Sequence, residues 1–358
     1  MRSVINITDL SMDEILELTE VAADIENNPL KYSQACKGKK LATLFYEPST
    51  RTRLSFEAAM YELGGDVIGF SDASNSSTVK GEGIFDTAKV ISCYADIIAM
   101  RHFIEGAPTC AALNASIPVI NAGDGSHSHP TQTLADIYTV KKQLGRLSDI
   151  TIGCCGDLKY GRTVHSLVEA FSKFKNIKFI FISPSELSIP KRMKKELLEK
   201  YNVDFVETES LENYIHELDV LYMTRIQKER FSDIEEYDRL KDQYILSSDK
   251  LRTAKESLCI MHPLPRVNEI TLDVDDDPRA CYFKQVKNGK IMRMALILKL
   301  LNDNNSNDNK DYFELDNKHC SHSLCVTYSD KRVKPLFKIS SNDPTKTVCY
   351  YCEHSIEN

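Results

Sequence analysis

Leu41-Ala42-Thr43-Leu44-Phe45-Tyr46-Glu47-Pro48-Ser49-Thr50-Arg51-Thr52-Arg53-Leu54-Ser55-Phe56-Glu57 is the stretch from which the rest of the chain can be read. Its first six residues are a short apolar run, the pattern of a buried strand. Beyond it Leu54, Ala58 and Tyr61 fall on one helical face, and Gly64-Gly65 supplies a helix stop. Ser49 to Arg53 therefore sits where a strand hands over to a helix. At such a corner the first backbone N–H groups have no intrahelical partner and the dipole favours an anion. Ser49, Thr50 and Thr52 add hydroxyls to that pole, and Arg51 and Arg53 add guanidiniums whose planar forks match phosphate oxygens. Two readings stand side by side: a phosphate cradle, or an ordinary Ser/Thr cap with two solvated arginines.

Working outward, the same strand–helix alternation recurs. A capping box, Ser11-Met12-Asp13-Glu14, opens a helix with Ile15, Leu18, Ala22 and Ile25 on its apolar face. Strands are predicted at 66–70, 96–100 and 118–121. A polar loop at 71–83 carries Ser76 and Lys80, and a loop of that length without periodicity is functional or disordered. Pro130 fits the first position of a helix whose buried face holds Leu134, Ile137 and Tyr138 and whose stop is Gly145. Past Gly145 the alternation restarts, with strands at 149–155, 177–182, 219–223 and 258–261 and helices at 161–173 and 190–201. A helix at 289–301 is apolar on more than one side. The fold class is α/β: two doubly wound parallel-sheet domains, residues 1–135 and 136–288. The helix over 289–303 is expected to pack back on the first domain. An Asn/Asp-rich linker follows at 304–311, and a small β-rich segment at 312–358.

A length of 358 residues suits two domains plus an appendage. A net charge of −7, with 42% hydrophobic and 27% charged residues, describes an ordinary soluble protein and argues against a nucleic-acid partner. No apolar run approaches membrane-spanning length, and Met1 to Leu10 lacks an apolar signal core. The expectation is a cytoplasmic protein without membrane contact. Of the 11 cysteines, seven are scattered in apolar contexts and read as small core hydrophobes, while four cluster near the end.

In open parallel sheets ligands bind beyond the carboxyl ends of the strands. Polar residues in those places are the 49–53 corner, Arg101, His129 and Gln132 in the first half. In the second they are Arg162 and Thr163, then Arg225 and Gln227, then His262-Pro263-Leu264-Pro265. Each has a bland alternative, such as a solvated charge or a satisfied loop histidine. Together they place arginines at strand ends in both halves, with no carboxylate pair, no Ser-His-Asp order and no metal-ligand spacing. Such a set binds anionic groups and polarises an acyl oxygen.

Phe45-Tyr46-Glu47-Pro48-Ser49-Thr50-Arg51-Thr52-Arg53, His129-Pro130-Thr131-Gln132 and His262-Pro263-Leu264-Pro265 together resemble the carbamoyltransferases, and in detail the catalytic chains of the aspartate branch. The resemblance covers residues 1 to about 303. Glu47-Pro48 and His262 stand where the ornithine branch has a lysine and a cysteine. Carbamoyl transfer to another amine, such as ornithine, and an inactive homologue remain the alternatives. What the resemblance implies is carbamoyl phosphate plus L-aspartate giving N-carbamoyl-L-aspartate plus phosphate, the committed step of pyrimidine synthesis. Ser49, Thr50, Arg51 and Thr52 would hold phosphate, and Thr52, Arg101 and His129 the carbamoyl oxygen. Gln132 and the carbonyls near Pro263 and Leu264 would hold the carbamoyl NH₂. Arg162, beside Thr163, would take the α-carboxylate of aspartate, and Arg225 with Gln227 its β-carboxylate. Glu47 would pair with Arg162 and Arg230 on closure. The resemblance also implies a homotrimer with shared sites, Ser76 and Lys80 reaching into a neighbour's. Pairing of trimers into hexamers is left open.

Cys320-Ser321-His322-Ser323-Leu324-Cys325 and Cys349-Tyr350-Tyr351-Cys352 have knuckle-like spacing for a structural Zn²⁺ site, in a segment too small for a stable core of its own. The alternatives are four buried thiols or two disulfides. The segment resembles the zinc domain of the regulatory chain of aspartate carbamoyltransferase, fused here to a catalytic chain, without the effector-binding half.

Overall fold

A computed structural model of the chain describes residues 2–72, 77–226, 235, 237, 239, 244–303, 311–316, 318–340 and 345–356. The chain divides into two compact units, one of residues 1–131 with 290–358 and one of residues 132–289.

In the first unit, α1 (Met12–Asn27) opens with the capping box: the Ser11 hydroxyl accepts from Glu14 N at 3.2 Å and Glu14 Oε2 accepts from Ser11 N at 2.9 Å. It buries Ile15, Leu18, Ala22 and Ile25, the face expected from the 3.6-residue period. Then follow β1 (Lys40–Phe45), α2 (Thr50–Glu62), β2 (Asp66–Phe70), α3 (Ile84–Ile91), β3 (Ile97–His102), α4 (Ala107–Asn114) and β4 (Val119–Asp124). The strands pair in parallel in the order β2-β1-β3-β4. All of β3 and β4 and nearly all of β1 are buried, which parallel strands covered on both faces require. Two expectations need correction. Leu54 and Tyr61 are 50% and 59% exposed, and α2 instead buries Phe56, Ala59 and Met60. Strand β3 runs on through His102, so Arg101 lies within the end of the strand rather than after it.

The second unit contains most of α5 (Pro130–Leu144), then β5 (Ile150–Cys155), α6 (Arg162–Phe171), β6 (Ile177–Ile182), α7 (Lys191–Glu199), β7 (Phe205–Thr208), β8 (Val220–Met223) and β9 (Cys259–Met261). Its sheet is parallel throughout, in the order β7-β6-β5-β8-β9. In both sheets the first strand of the unit, β1 or β5, has later strands added on both sides. The point where the order reverses lies between β1 and β3 in one sheet and between β5 and β8 in the other. Connections leave such a point in opposite directions and open a crevice beyond the strand ends.

Helix α8 (Tyr282–Asn302) begins seven residues before the expected start at 289. Its first turns are polar, yet Gln285 and Asn288 are 3% exposed and donate to Asp136 at 2.6 Å and Thr139 at 3.0 Å. Farther along, Arg293 donates to Ser55 and Thr131, both at 3.1 Å.

The C-terminal segment forms an antiparallel pair, β10 (Phe337–Ile339) and β11 (Thr347–Cys349). It belongs to the first unit and shares a core with it: Cys110 of α4 is buried with Cys320, Cys325, Val326, Cys349, Tyr351 and Cys352. No helix among the described residues is long and apolar enough to cross a membrane.

Candidate active site

At the reversal point of the first sheet, Phe45 is the register partner of Arg101, and Tyr46 N donates to Arg101 O at 2.9 Å. The chain then turns into α2, where Arg53 N makes the first intrahelical bond, to Ser49 O at 3.1 Å. The N–H groups of Thr50, Arg51 and Thr52 are therefore left outside the helix ladder. Ser49 occupies the capping position, but its side chain makes no cap hydrogen bond. The two arginines of the corner differ. Arg53 is engaged with Glu57 at 3.2 Å, as a solvated helix charge is. Arg51 has no carboxylate partner among the described residues, and its pKa is pushed down, first by partial burial and then by the charge of Arg101. Two guanidiniums whose charges repel, with uncapped N–H groups beside them, make an arrangement that suits an anion.

Arg101 is 9% exposed. Burial pushes its pKa down, opposed by Glu47, whose carboxylate lies 3.0 Å from Nη2. Nη1 donates to Ala122 O at 3.3 Å, while the buried Nε has no hydrogen-bond partner among the described residues. Gly123 brings His129 to the same place. A Cβ there would lie 2.8 Å from Arg101 Nη1 and 3.4 Å from His129 Cδ2, at a φ of +118° that favours glycine. Asp124, fully buried, anchors the loop to His129: it accepts from Asn121 at 2.8 Å, Gly106 N at 2.9 Å and Ser128 N at 3.1 Å. Lys80 ends a 3-10 turn, Ser77–Lys80, and is exposed. Ser76 lies outside the described residues.

In the second unit, the reversal point brings Arg162 and Thr163, at the start of α6, and Arg225, just past β8, to the carboxyl ends of adjacent strands β5 and β8; all three are half-buried. Gln227 and Arg230 lie outside the described residues. Gln132 donates to Asp136 at 2.8 Å, and the same carboxylate, fully buried, accepts from Tyr222 at 3.1 Å and from Gln285. Past β9, His262 is 2% exposed. Its Nδ1 accepts from Leu264 N at 2.7 Å, so the proton sits on Nε2, which donates to Glu269 at 2.7 Å. Burial works against ionisation of Glu269, but His262 and the N–H groups of Val267 and of Glu269 itself outweigh it and hold the pKa low. This brace holds Pro263 and Leu264, the latter at a φ of 49° that a leucine seldom adopts. The sequence reading missed three buried carboxylates: Asp124, which anchors the loop to His129, and Asp136 and Glu269, which hold Gln132 and His262 in the second unit. The available signal was an acid at a buried position beside Leu134 and Ile137, or at a strand end.

The four C-terminal cysteines converge. Their Sγ atoms all lie within 4.8 Å of one another and are buried, with Cys320–Cys352 at 3.6 Å and Cys325–Cys349 at 3.7 Å. No two are disulfide-bonded. A tetrahedral ion with metal–sulfur bonds of about 2.3 Å has sulfur–sulfur edges of about 3.8 Å. The group could hold a metal ion.

These features define a carbamoyl-transferring class of protein. The family model described as aspartate/ornithine carbamoyltransferase, carbamoyl-P binding domain, matches residues 2–142, and the model for its Asp/Orn binding domain matches residues 148–300. The chain belongs to the aspartate/ornithine carbamoyltransferase family. Within it, the chain is 58% identical over 300 residues to an aspartate carbamoyltransferase catalytic subunit of Clostridium botulinum, covering 84% of this chain and 98% of that protein. It is 59% identical to the corresponding subunit of Clostridium acetobutylicum, with the same coverage. Among solved structures, the catalytic subunit of M. jannaschii aspartate transcarbamoylase superposes with a TM-score of 0.80 at 50% identity, covering 85% of this chain and 99% of that one. Aspartate transcarbamoylase from Trypanosoma cruzi, in complex with carbamoyl phosphate and aspartate, does so at 0.78 and 35% identity, covering 84% of this chain and 96% of that one. Residues 301–358 lie outside both family-model matches.

Proposed function

We propose that this chain is a transferase that moves the carbamoyl group of carbamoyl phosphate to L-aspartate, giving N-carbamoyl-L-aspartate and phosphate in pyrimidine biosynthesis. The observation that carries this reading is the corner at Ser49–Arg51, with an uncapped helix start and a guanidinium lacking a carboxylate partner among the described residues. Ser49, Thr50, Arg51 and Thr52 hold the phosphate. The aspartate amine attacks the carbamoyl carbon and a C–N bond forms. Charge on the carbamoyl oxygen is met by Thr52, Arg101 and His129, donors already held in place before the reaction. The C–O bond to phosphate then breaks, and the leaving phosphate takes the amine proton. No general base from the protein is required, because holding two substrates together supplies several kcal/mol.

Gln132 and the carbonyls near Pro263 and Leu264 hold the carbamoyl NH₂. Arg162, with Thr163 beside it, takes the α-carboxylate of aspartate. Arg225 and Gln227 take the β-carboxylate, which favours aspartate over ornithine. Ser76 and Lys80 serve a neighbour's site in a homotrimer, and the exposed Leu54 and Tyr61 on α2 support such an interface. The domain assignment is 1–135 for carbamoyl phosphate, 136–288 for aspartate, 289–303 for the returning helix, 304–311 for a linker and 312–358 for the zinc segment. Cys320, Cys325, Cys349 and Cys352 hold a structural Zn²⁺, which cross-links that segment, and the segment is a fused counterpart of a regulatory-chain zinc domain.

Replacement of Arg225 tests the substrate assignment. Arg225→Ala should raise the KM for aspartate by about tenfold to a hundredfold, the scale of a lost charged hydrogen bond, with carbamoyl phosphate binding nearly unchanged. An equal collapse of carbamoyl phosphate affinity would show that this arginine does not belong to the second substrate.

A further inference from the structure

The C-terminal cysteine segment is anchored on the loop that precedes α4. Glu105 N donates to Leu324 O at 2.9 Å, and Val326 N donates to Glu105 O at 3.0 Å. The Glu105 carboxylate lies 2.9 Å from His322 Nε2 and accepts from the Ser126 hydroxyl at 2.8 Å. Gly106 is pressed so closely that a Cβ would fall 2.8 Å from the Tyr351 carbonyl, and Cys110 lies in the segment's core. The segment is therefore a fixed part of the first unit.

From that anchor one side chain reaches the loop behind Lys80. Arg332 is pre-oriented by Asp330, with Nε–Oδ1 at 2.9 Å and Nη2–Oδ2 at 2.8 Å. It donates from Nη2 to the carbonyl of Gly81 at 3.2 Å and lies over the Phe85 ring at 5.3 Å. Gly81 follows Lys80 directly and has a φ of +84°, so it is the joint at which the Lys80 turn meets α3. The contact continues at Gly83, where a Cβ would meet Arg332 Nη2 and Asp330 Oδ2, both at 3.1 Å. The Lys80 ammonium has no ion pair or hydrogen bond among the described residues, so its placement depends on the backbone of its turn and on this joint.

We propose that Arg332 is a positioning residue for Lys80: the C-terminal segment clamps the Gly81 joint and thereby sets where the Lys80 ammonium stands for carbamoyl phosphate. This rests on the carbamoyl phosphate reading of Lys80 given above. A loop turned on a glycine joint loses reach when that joint is free, and a pinned carbonyl with a stacked guanidinium restricts it. Arg332 is largely exposed and is not itself one of the segment's buried core residues, so its loss removes the clamp without emptying that core.

The test is a double-mutant cycle on the full chain, with kinetics in both substrates and thermal melting. Arg332→Ala should raise the KM for carbamoyl phosphate about threefold to tenfold, the scale of one hydrogen bond. The KM for aspartate and the melting midpoint should stay put, and Arg332→Lys should recover part of the loss. In a Lys80→Ala background, read from its residual turnover, Arg332→Ala should change nothing further. Amide exchange at residues 81–87 should quicken in Arg332→Ala. An equal loss from Arg332→Ala with and without Lys80, or an unchanged KM for carbamoyl phosphate, would overturn the proposal. A fully active Lys80→Ala protein would overturn the reading of Lys80 as well, and that single variant reveals it separately.

Discussion

The corner at Ser49–Arg53 and the four-cysteine segment are both polar clusters on the first unit, but they are built on opposite principles. At the corner, the scaffold is held by apolar strands, and among the described residues Arg51 has no carboxylate partner and the Ser49 side chain makes no cap hydrogen bond. In the segment, the sulfur atoms face one another within the core: its four cysteines and Cys110 of α4 make up five of that core's nine buried residues. A site that must bind and release a substrate can keep its charges uncompensated only where other residues supply the stability. A short segment without enough apolar area needs its ligating groups for cohesion. Loss of a group at the corner should therefore cost activity, and loss at the segment should cost structure.

Metal removal should give the largest contrast. Structural zinc sites in small peptides contribute about 10–16 kcal/mol of apparent binding free energy. A strong chelator should therefore melt residues from 312 onward, seen by amide exchange, while the two sheets stay protected and some carbamoyltransferase turnover survives. Simultaneous loss of exchange protection in both sheets would erase the distinction between the regions. Arg51→Ala should do the reverse. It should lower kcat/KM by about a hundredfold to a thousandfold, as loss of a charge-stabilising donor does, with little change in melting.

A third contrast is set by pH. Burial pushes the pKa of His102 down to about 4, against the charge of Asp124, and its Nδ1 accepts from Ile104 N at 2.8 Å, which requires the neutral ring. In the unfolded chain the same ring takes a proton below about 6.5. The unfolded state thus binds the extra proton between those values, so stability present above pH 6.5 is lost as pH falls toward 4. His102 accounts for up to about 3 kcal/mol of that loss. His102→Asn keeps an acceptor for Ile104 N and does not titrate, so its stability should fall less steeply over this window in denaturant melts. Equal slopes in the two proteins would remove His102 from the account.

The contrast between corner and segment also separates what could be read in the sequence from what could not. Strand β6 begins and ends where its apolar run does, and α1 buries the face its periodicity predicts. The rule for parallel sheets points to polar residues at strand ends, and the strand orders put the 49–53 corner and Arg101 at one reversal point and Arg162 and Arg225 at the other, whereas His129 and His262 follow the end strands β4 and β9. Helix α2 misled because its spaced apolar residues, Leu54 and Tyr61, are exposed, and periodicity marks a shared face without saying whether that face is buried. The start of α8 was hidden by Gln285 and Asn288, polar residues buried because Asp136 and Thr139 satisfy them. The docking of the cysteine segment was invisible for another reason. It joins Glu105 to residues more than 200 positions away through single hydrogen bonds, which leave no periodic trace.

The most direct test of the central claim is turnover by the purified full chain with carbamoyl phosphate and either L-aspartate or L-ornithine, with products identified by mass. The account predicts N-carbamoyl-L-aspartate and phosphate in equal amounts, no comparable product from ornithine, and loss of the reaction in Arg51→Ala. Carbamoylation of ornithine in preference to aspartate, or phosphate released without any carbamoylated amine, would contradict it.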